Sequence, residues 1–70
     1  MNEALRKARL DAKLTQFQVA ELAGITYRSY QNYEYNQRLP DVIAGQQVAN
    51  ALGVPIGEIF PIDKLPRRGG

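Results

Sequence analysis

Apolar and small residues recur along this chain at helical rather than strand spacing, and the recurrence breaks into short blocks. From Asn2 to about Lys13, Leu5, Ala8 and Ala12 fall on one stripe with Arg9 beside it, and charged residues fill the other faces, which predicts a first helix. Between Gln16 and Tyr35 the apolar or small positions are Val19, Ala20 and Ala23, then Ile25, then Tyr30 and Tyr33. That spacing predicts two short amphipathic helices packed on each other across a three-residue turn. Thr15 and Gln18 have the spacing of a capping box, so the second helix starts at Gln16. Thr26 is placed to cap a third helix from Tyr27 to about Tyr35, which Asn36 ends. Gly24 follows the second helix, where a left-handed backbone is needed to reverse the chain, and Ala20 is small where the two helices would cross. The pattern is that of a tight helix-turn-helix.

Residues 36–39 read as a loop. Pro40 disfavours helix in Leu39, and Asp41 can cap a fourth helix from Val42 to about Leu52, with Val42, Ile43, Val48, Ala49 and Leu52 as its apolar set and Gly53 as its stop. Gly45 inside that helix costs about 1 kcal/mol against alanine, which points to a close helix contact there. Ile56, Ile59 and Phe60 suggest a short fifth helix, begun by Pro55 and ended by Pro61. Residues 62–70, with Pro66 and Gly69-Gly70, are expected to bury little and to form a mobile C-terminal tail behind a domain spanning 1–61. The fold class expected is all-α, with five short helices.

Through Leu14-Thr15-Gln16, Val19-Ala20-Glu21-Leu22-Ala23-Gly24-Ile25-Thr26, Tyr30, Tyr33-Glu34 and Ala51-Leu52-Gly53-Val54, the chain resembles the phage-repressor-like helix-turn-helix domains of the Cro/C1 or XRE type. Each piece alone occurs by chance in helical proteins, but the order and spacing, from roughly Leu5 to Phe60, carry the resemblance. It implies a lambda-repressor-like bundle and sequence-specific binding of double-stranded DNA to regulate transcription.

Composition narrows the alternatives. Seventy residues make one domain with a marginal core, which favours association with a partner. With no cysteine and no histidine, disulfides, imidazole catalysis and the usual zinc sites are out of reach, so neither an enzyme nor a metal or cofactor is expected. No apolar run approaches the length of a membrane span and the N-terminus lacks a signal-peptide core, so a cytoplasmic location is expected.

The net charge of +2 says little by itself, because Lys64, Arg67 and Arg68 against Asp63 supply all of it and the remaining six basic and six acidic residues cancel. Distribution must do any steering. Four of those six basic residues lie between Arg6 and Lys13, and from Arg28 to Arg38 the only acid is Glu34.

In a helix-turn-helix the second helix enters the major groove N-terminal end first, which singles out Tyr27, Arg28 and Asn32 as base readers, positions that also match the readers of the resembling family. Arg28 can fork to guanine O6 and N7, Asn32 can pair with adenine, and Tyr27 can pack on a thymine methyl or bond a phosphate. Gln31 can add a contact to base or backbone. Gln16, at the positive end of the second helix, is a phosphate clamp by resemblance, with a simple helix-starting role as its alternative. Arg6, Ser29, Tyr35, Asn36 and Arg38 are further phosphate candidates, which position the protein without specifying sequence.

The resemblance also implies a structural ion pair between Arg9 and Glu34, with Arg9 on a phosphate as the rival role. Tyr30 and Tyr33, three apart, fit core packing better than a stacking platform for single strands, which leaves Tyr27 and Tyr35 for contact. Phe17 departs from the family, where a polar or acidic residue is usual. It can be an exposed aromatic, a packing contact or a partner site.

Repression is what the resemblance implies for a bare domain, and a homodimer, at least on DNA, is expected because one helix reads only a few base pairs. Residues 54–60 are the interface expected. An antitoxin or other protein-binding module on the same fold is the alternative function.

Overall fold

The computed structural model describes residues 1–66. Five α-helices occur in it: α1 (Glu3–Asp11), α2 (Gln16–Ala23), α3 (Tyr27–Glu34), α4 (Val42–Leu52) and α5 (Ile56–Ile59), followed by a single 3-10 turn at Ile62–Lys64. No strand appears among the described residues, and none of their helices is long and apolar enough to cross a membrane.

Local chemistry sets most of the helix boundaries. At α2, Thr15 Oγ1 accepts from Gln18 N at 3.1 Å while Gln18 Oε1 accepts from Thr15 N at 2.9 Å, so two otherwise unpaired donors are satisfied reciprocally. Gly24, at φ 72°, turns the chain out of α2, and Ile25 N reaches back to Ala20 O at 3.0 Å. Thr26 caps α3 through Ser29 N at 3.0 Å, and Asp41 caps α4 through Ala44 N at 2.7 Å.

Helix α1 is shorter than the apolar stripe suggests. Lys13 adopts a left-handed φ of 61°, and Leu14 N bonds back to Arg9 O at 3.2 Å, the closing pattern normally supplied by glycine. Ala12 is consequently off the buried face and exposed.

The core gathers Leu5 and Ala8 of α1, Val19, Ala20 and Ala23 of α2, Tyr30 and Tyr33 of α3, Val48, Ala49 and Leu52 of α4, and Ile59 and Phe60. In α4 the inward residues are Ala44, Gly45, Val48, Ala49 and Leu52, and Ile43 is exposed, contrary to the apolar set read from sequence. Gly45, Val48, Ala49 and Leu52 follow the helical repeat, whereas Ile43 lies nearly opposite Gly45 on the wheel. A Cβ on Gly45 would stand 3.0 Å from Ile56 Cδ1 and 3.3 Å from Leu65 Cδ1, so the missing side chain is what lets α5 and the following segment close on α4.

That segment keeps a contact with the bundle. Leu65 is only 6% exposed and Val42 N donates to Pro66 O at 2.9 Å, so Leu65 and Pro66 are held against α4, while residues 62–64 are exposed. A leucine over a glycine is enough apolar burial to hold one 3-10 turn in place. The rest of the expected tail, residues 67–70, lies outside the described residues.

The N-terminus closes the bundle. Asn2 Oδ1 caps α1 through Leu5 N at 3.0 Å, its Nδ2 donates to Ile59 O at 2.7 Å, and its backbone N–H donates to Glu34 O at 2.8 Å. One asparagine therefore ties α1, α3 and α5 together, and it helps fix the angle at which α3 leaves the bundle.

Candidate nucleic-acid interface

At roughly 100° per residue, a helix that buries Tyr30, Tyr33 and Glu34 must point Arg28, Asn32 and Tyr35 outward, with Tyr27 and Gln31 along one margin. Tyr27, Arg28 and Tyr35 are exposed, and Ser29, Gln31 and Asn32 are half-buried. The Thr26 hydroxyl, besides capping α3, donates to Ser29 Oγ at 2.9 Å, which holds the first turn of the helix beside exposed Tyr27 and Arg28.

Behind this face lies a polar junction. Glu34 is fully buried; its Oε1 accepts from Arg9 Nε at 3.0 Å and its Oε2 accepts from Gln16 Nε2. Arg9 Nη1 continues to Leu14 O at 3.0 Å, and Gln16 Nε2 also donates to Tyr35 Oη at 3.2 Å. The chain of bonds runs from the end of α1 through the end of α3 to the start of α2. Both charges are met, which is the condition under which a buried ion pair is tolerated.

The Tyr30 hydroxyl is buried close to this pair and makes no hydrogen bond of good geometry among the described residues, with the Arg9 guanidinium as its nearest polar neighbour beside Glu34. Burial, and secondarily the Glu34 carboxylate, push its ionisation well above the ordinary tyrosine range, so it stays a neutral phenol.

An open cleft between α1, the start of α2 and the end of α3 is lined by Arg6, Lys13, Thr15, Gln16 and Tyr35. Three of the phosphate candidates, Arg6, Gln16 and Tyr35, thus come together. Lys13 joins them, a residue that sequence reading passed over because it was counted inside α1; its left-handed turn puts it at the cleft.

The four cations of the α1 region therefore divide. Arg9 is turned into the bundle. Lys7 pairs with Asp11 at 2.8 Å on the opposite, solvent-exposed side near Glu58, and Arg6 and Lys13 remain at the cleft. A body with no net charge can carry a positive face by this sorting alone.

The remaining candidates sit elsewhere. Arg38 is exposed in the loop after α3. Asn36, also exposed, holds a left-handed φ of 59° that ends α3, and it borders a different depression with Leu39, Phe60 and Pro61. Gln16 differs from a free clamp: its side-chain amide nitrogen already donates to Glu34 and Tyr35, which leaves a phosphate the backbone amides at the α2 start. Because Tyr35 accepts from Gln16, its own hydroxyl proton is left to donate outward.

Comparison with known proteins agrees with this architecture. The profile of the Helix-turn-helix family matches residues 5–59. The crystal structure of the restriction-modification controller protein C.AhdI from Aeromonas hydrophila is similar, with a TM-score of 0.79 and 27% sequence identity, over 84% of this chain and 89% of that one. No curated protein sequence gives a significant match.

Proposed function

The chain belongs to the Cro/C1-type helix-turn-helix family of DNA-binding transcriptional regulators, and from that premise we propose that it acts as a repressor, binding a specific duplex site as a homodimer. The observation that carries this reading is the division of α3. Its inward residues pack against α1, α2 and Phe60, and Tyr27, Arg28, Gln31 and Asn32 are left along the other side, with Tyr27 and Arg28 at the end that enters a major groove first.

In this reading Arg28 forks to a guanine, Asn32 pairs with an adenine, and Tyr27 and Gln31 complete the base contacts. Arg6, Lys13, Tyr35 and the amides at the start of α2 take the phosphates on one flank, and Arg38, Ser29 and Asn36 take those near α3. Gln16 acts by orienting Tyr35. Repression follows from occupancy, since a domain seated on a promoter blocks polymerase by its presence there. The likeness to a restriction-modification controller favours a regulator over a module whose main partner is another protein.

The dimer contact is assigned to the α5 face. Ile59 and Phe60 are taken up by the core, at 3% exposure each, so the apolar atoms offered to a partner copy come from Val54, Ile56 and Ile62, which lies over Gly57.

Selection from random duplex DNA, followed by affinity measurement across salt, tests the function. Two copies, each offering Arg6, Lys13 and Arg38 to phosphates, should lose roughly a thousand-fold in affinity between about 50 and 200 mM salt. Failure to enrich any duplex at about 50 mM would overturn the reading.

A further inference from the structure

Phe17, the second residue of α2, is 54% exposed, and Tyr27, the first residue of α3, is 44% exposed. Their rings meet edge to face, with centroids 5.8 Å apart and planes at 70°. Neither belongs to the core, so the contact joins the starts of two helices on the outside of the protein, at the end of α3 that presents Arg28. The Phe17 side chain has no hydrogen-bonding group and cannot itself serve a phosphate. A phenyl ring in a major groove can exclude water from an apolar group, and the apolar group that base pairs display there is the 5-methyl of a pyrimidine.

We propose that Phe17 positions Tyr27, and that the two rings together form an apolar seat for a pyrimidine 5-methyl group next to the guanine contacted by Arg28. The inference rests on the DNA-binding reading above and adds to it a chemical preference and a residue. Phe17 restricts the Tyr27 ring about its side-chain torsions, so the seat exists before DNA arrives. Tyr27 and Arg28 are adjacent in sequence, which puts the methyl and the guanine on neighbouring base pairs. Thymine and 5-methylcytosine both carry the group, so the site discriminates methylated from unmethylated pyrimidines, and a protein of this design responds to cytosine methylation wherever its site holds a cytosine at that step.

The test uses the duplex recovered by selection, with each thymine of a half-site replaced singly by deoxyuridine and each cytosine singly by 5-methyldeoxycytidine. With the unaltered chain, one position beside the guanine should lose roughly three- to five-fold in affinity when its methyl is removed, or gain as much when a cytosine there is methylated, the value of burying one methyl group. In Phe17→Ala that ratio should fall to near one while thermal unfolding changes little, and Phe17→Tyr should restore it.

A methyl effect at no position overturns the proposal without recourse to any variant. So does a ratio that persists in Phe17→Ala; unchanged affinity in that variant would instead leave Phe17 as a surface for a protein partner. A chain that binds no duplex at all removes the DNA-binding reading and this inference with it, and is distinguished by the salt series.

Discussion

Helix α3 and its capping residue Tyr35 carry four tyrosines, two on each of two faces, and the faces use them in opposite ways. Tyr30 and Tyr33 are buried, Tyr33 edge-on to Phe60 at 6.2 Å, whereas Tyr27 and Tyr35 are almost half exposed. Between the inner pair and α1 runs the Glu34–Arg9 junction; between the outer pair lie Arg28, Gln31 and Asn32. The lesson is one of division of labour. The inner face fixes where the helix stands, and the outer face is left chemically open because the inner one has done so. Substitutions should then sort by face, the inner ones moving stability and the outer ones moving recognition.

The largest effect is expected on the inner face. Glu34→Ala leaves the Arg9 guanidinium buried without its carboxylate and should cost about 3 to 5 kcal/mol in urea unfolding, whereas exchanging both partners for apolar residues, Arg9→Met with Glu34→Leu, should cost much less than the sum of the single changes. Strict additivity would mean that the two side chains contribute independently and that Arg9 is available to a phosphate.

Gln16 belongs to both faces, since it bonds buried Glu34 and exposed Tyr35. Gln16→Ala should therefore break the sorting by face, lowering stability by about 1 to 2 kcal/mol through the lost bond to a charged group and weakening binding to every duplex by a similar factor. Loss of affinity with unchanged unfolding would return Gln16 to the role of a direct phosphate ligand.

Tyr30→Phe is the smallest of the three and runs the other way. Deleting a buried hydroxyl that makes no hydrogen bond of good geometry should stabilise by about 1 kcal/mol. The folded phenol holds its proton more tightly than the unfolded one, so its contribution is intact below the ordinary value of 10.0 and is lost progressively as pH rises above it. Alkaline unfolding of the wild type should accordingly steepen above about pH 10, and the phenylalanine variant should show a shallower decline.

What could be read from sequence was the local chemistry. The Thr15–Gln18 capping box, Gly24, Thr26 and Asn36 each act within a few residues of themselves, so they delimit α2 and α3 without knowledge of the rest of the fold. The features that escaped depend on distance. Asn2 meets Ile59 across 57 positions, Leu65 finds its place only because α4 turns Gly45 toward it, and Ile43 is exposed for the same rotation of α4. Lys13 escaped for a different reason: a lysine in a left-handed turn carries no residue-type signal, and with it went one of the cations lining the cleft. The direction of the Gln16 amide is likewise a property of two helices at once, which residue spacing within either one does not encode.

The claim that the outer face of α3 reads bases is tested most directly by Arg28→Ala. Affinity should be measured for the selected site, for that site with each base pair changed in turn, and for random duplex, with unfolding followed in parallel. The account predicts a loss of about 1 to 3 kcal/mol on the selected site, relaxed choice at one base pair, little change on random duplex, and unaltered stability. Equal losses on selected and random DNA would make Arg28 a backbone contact and contradict it.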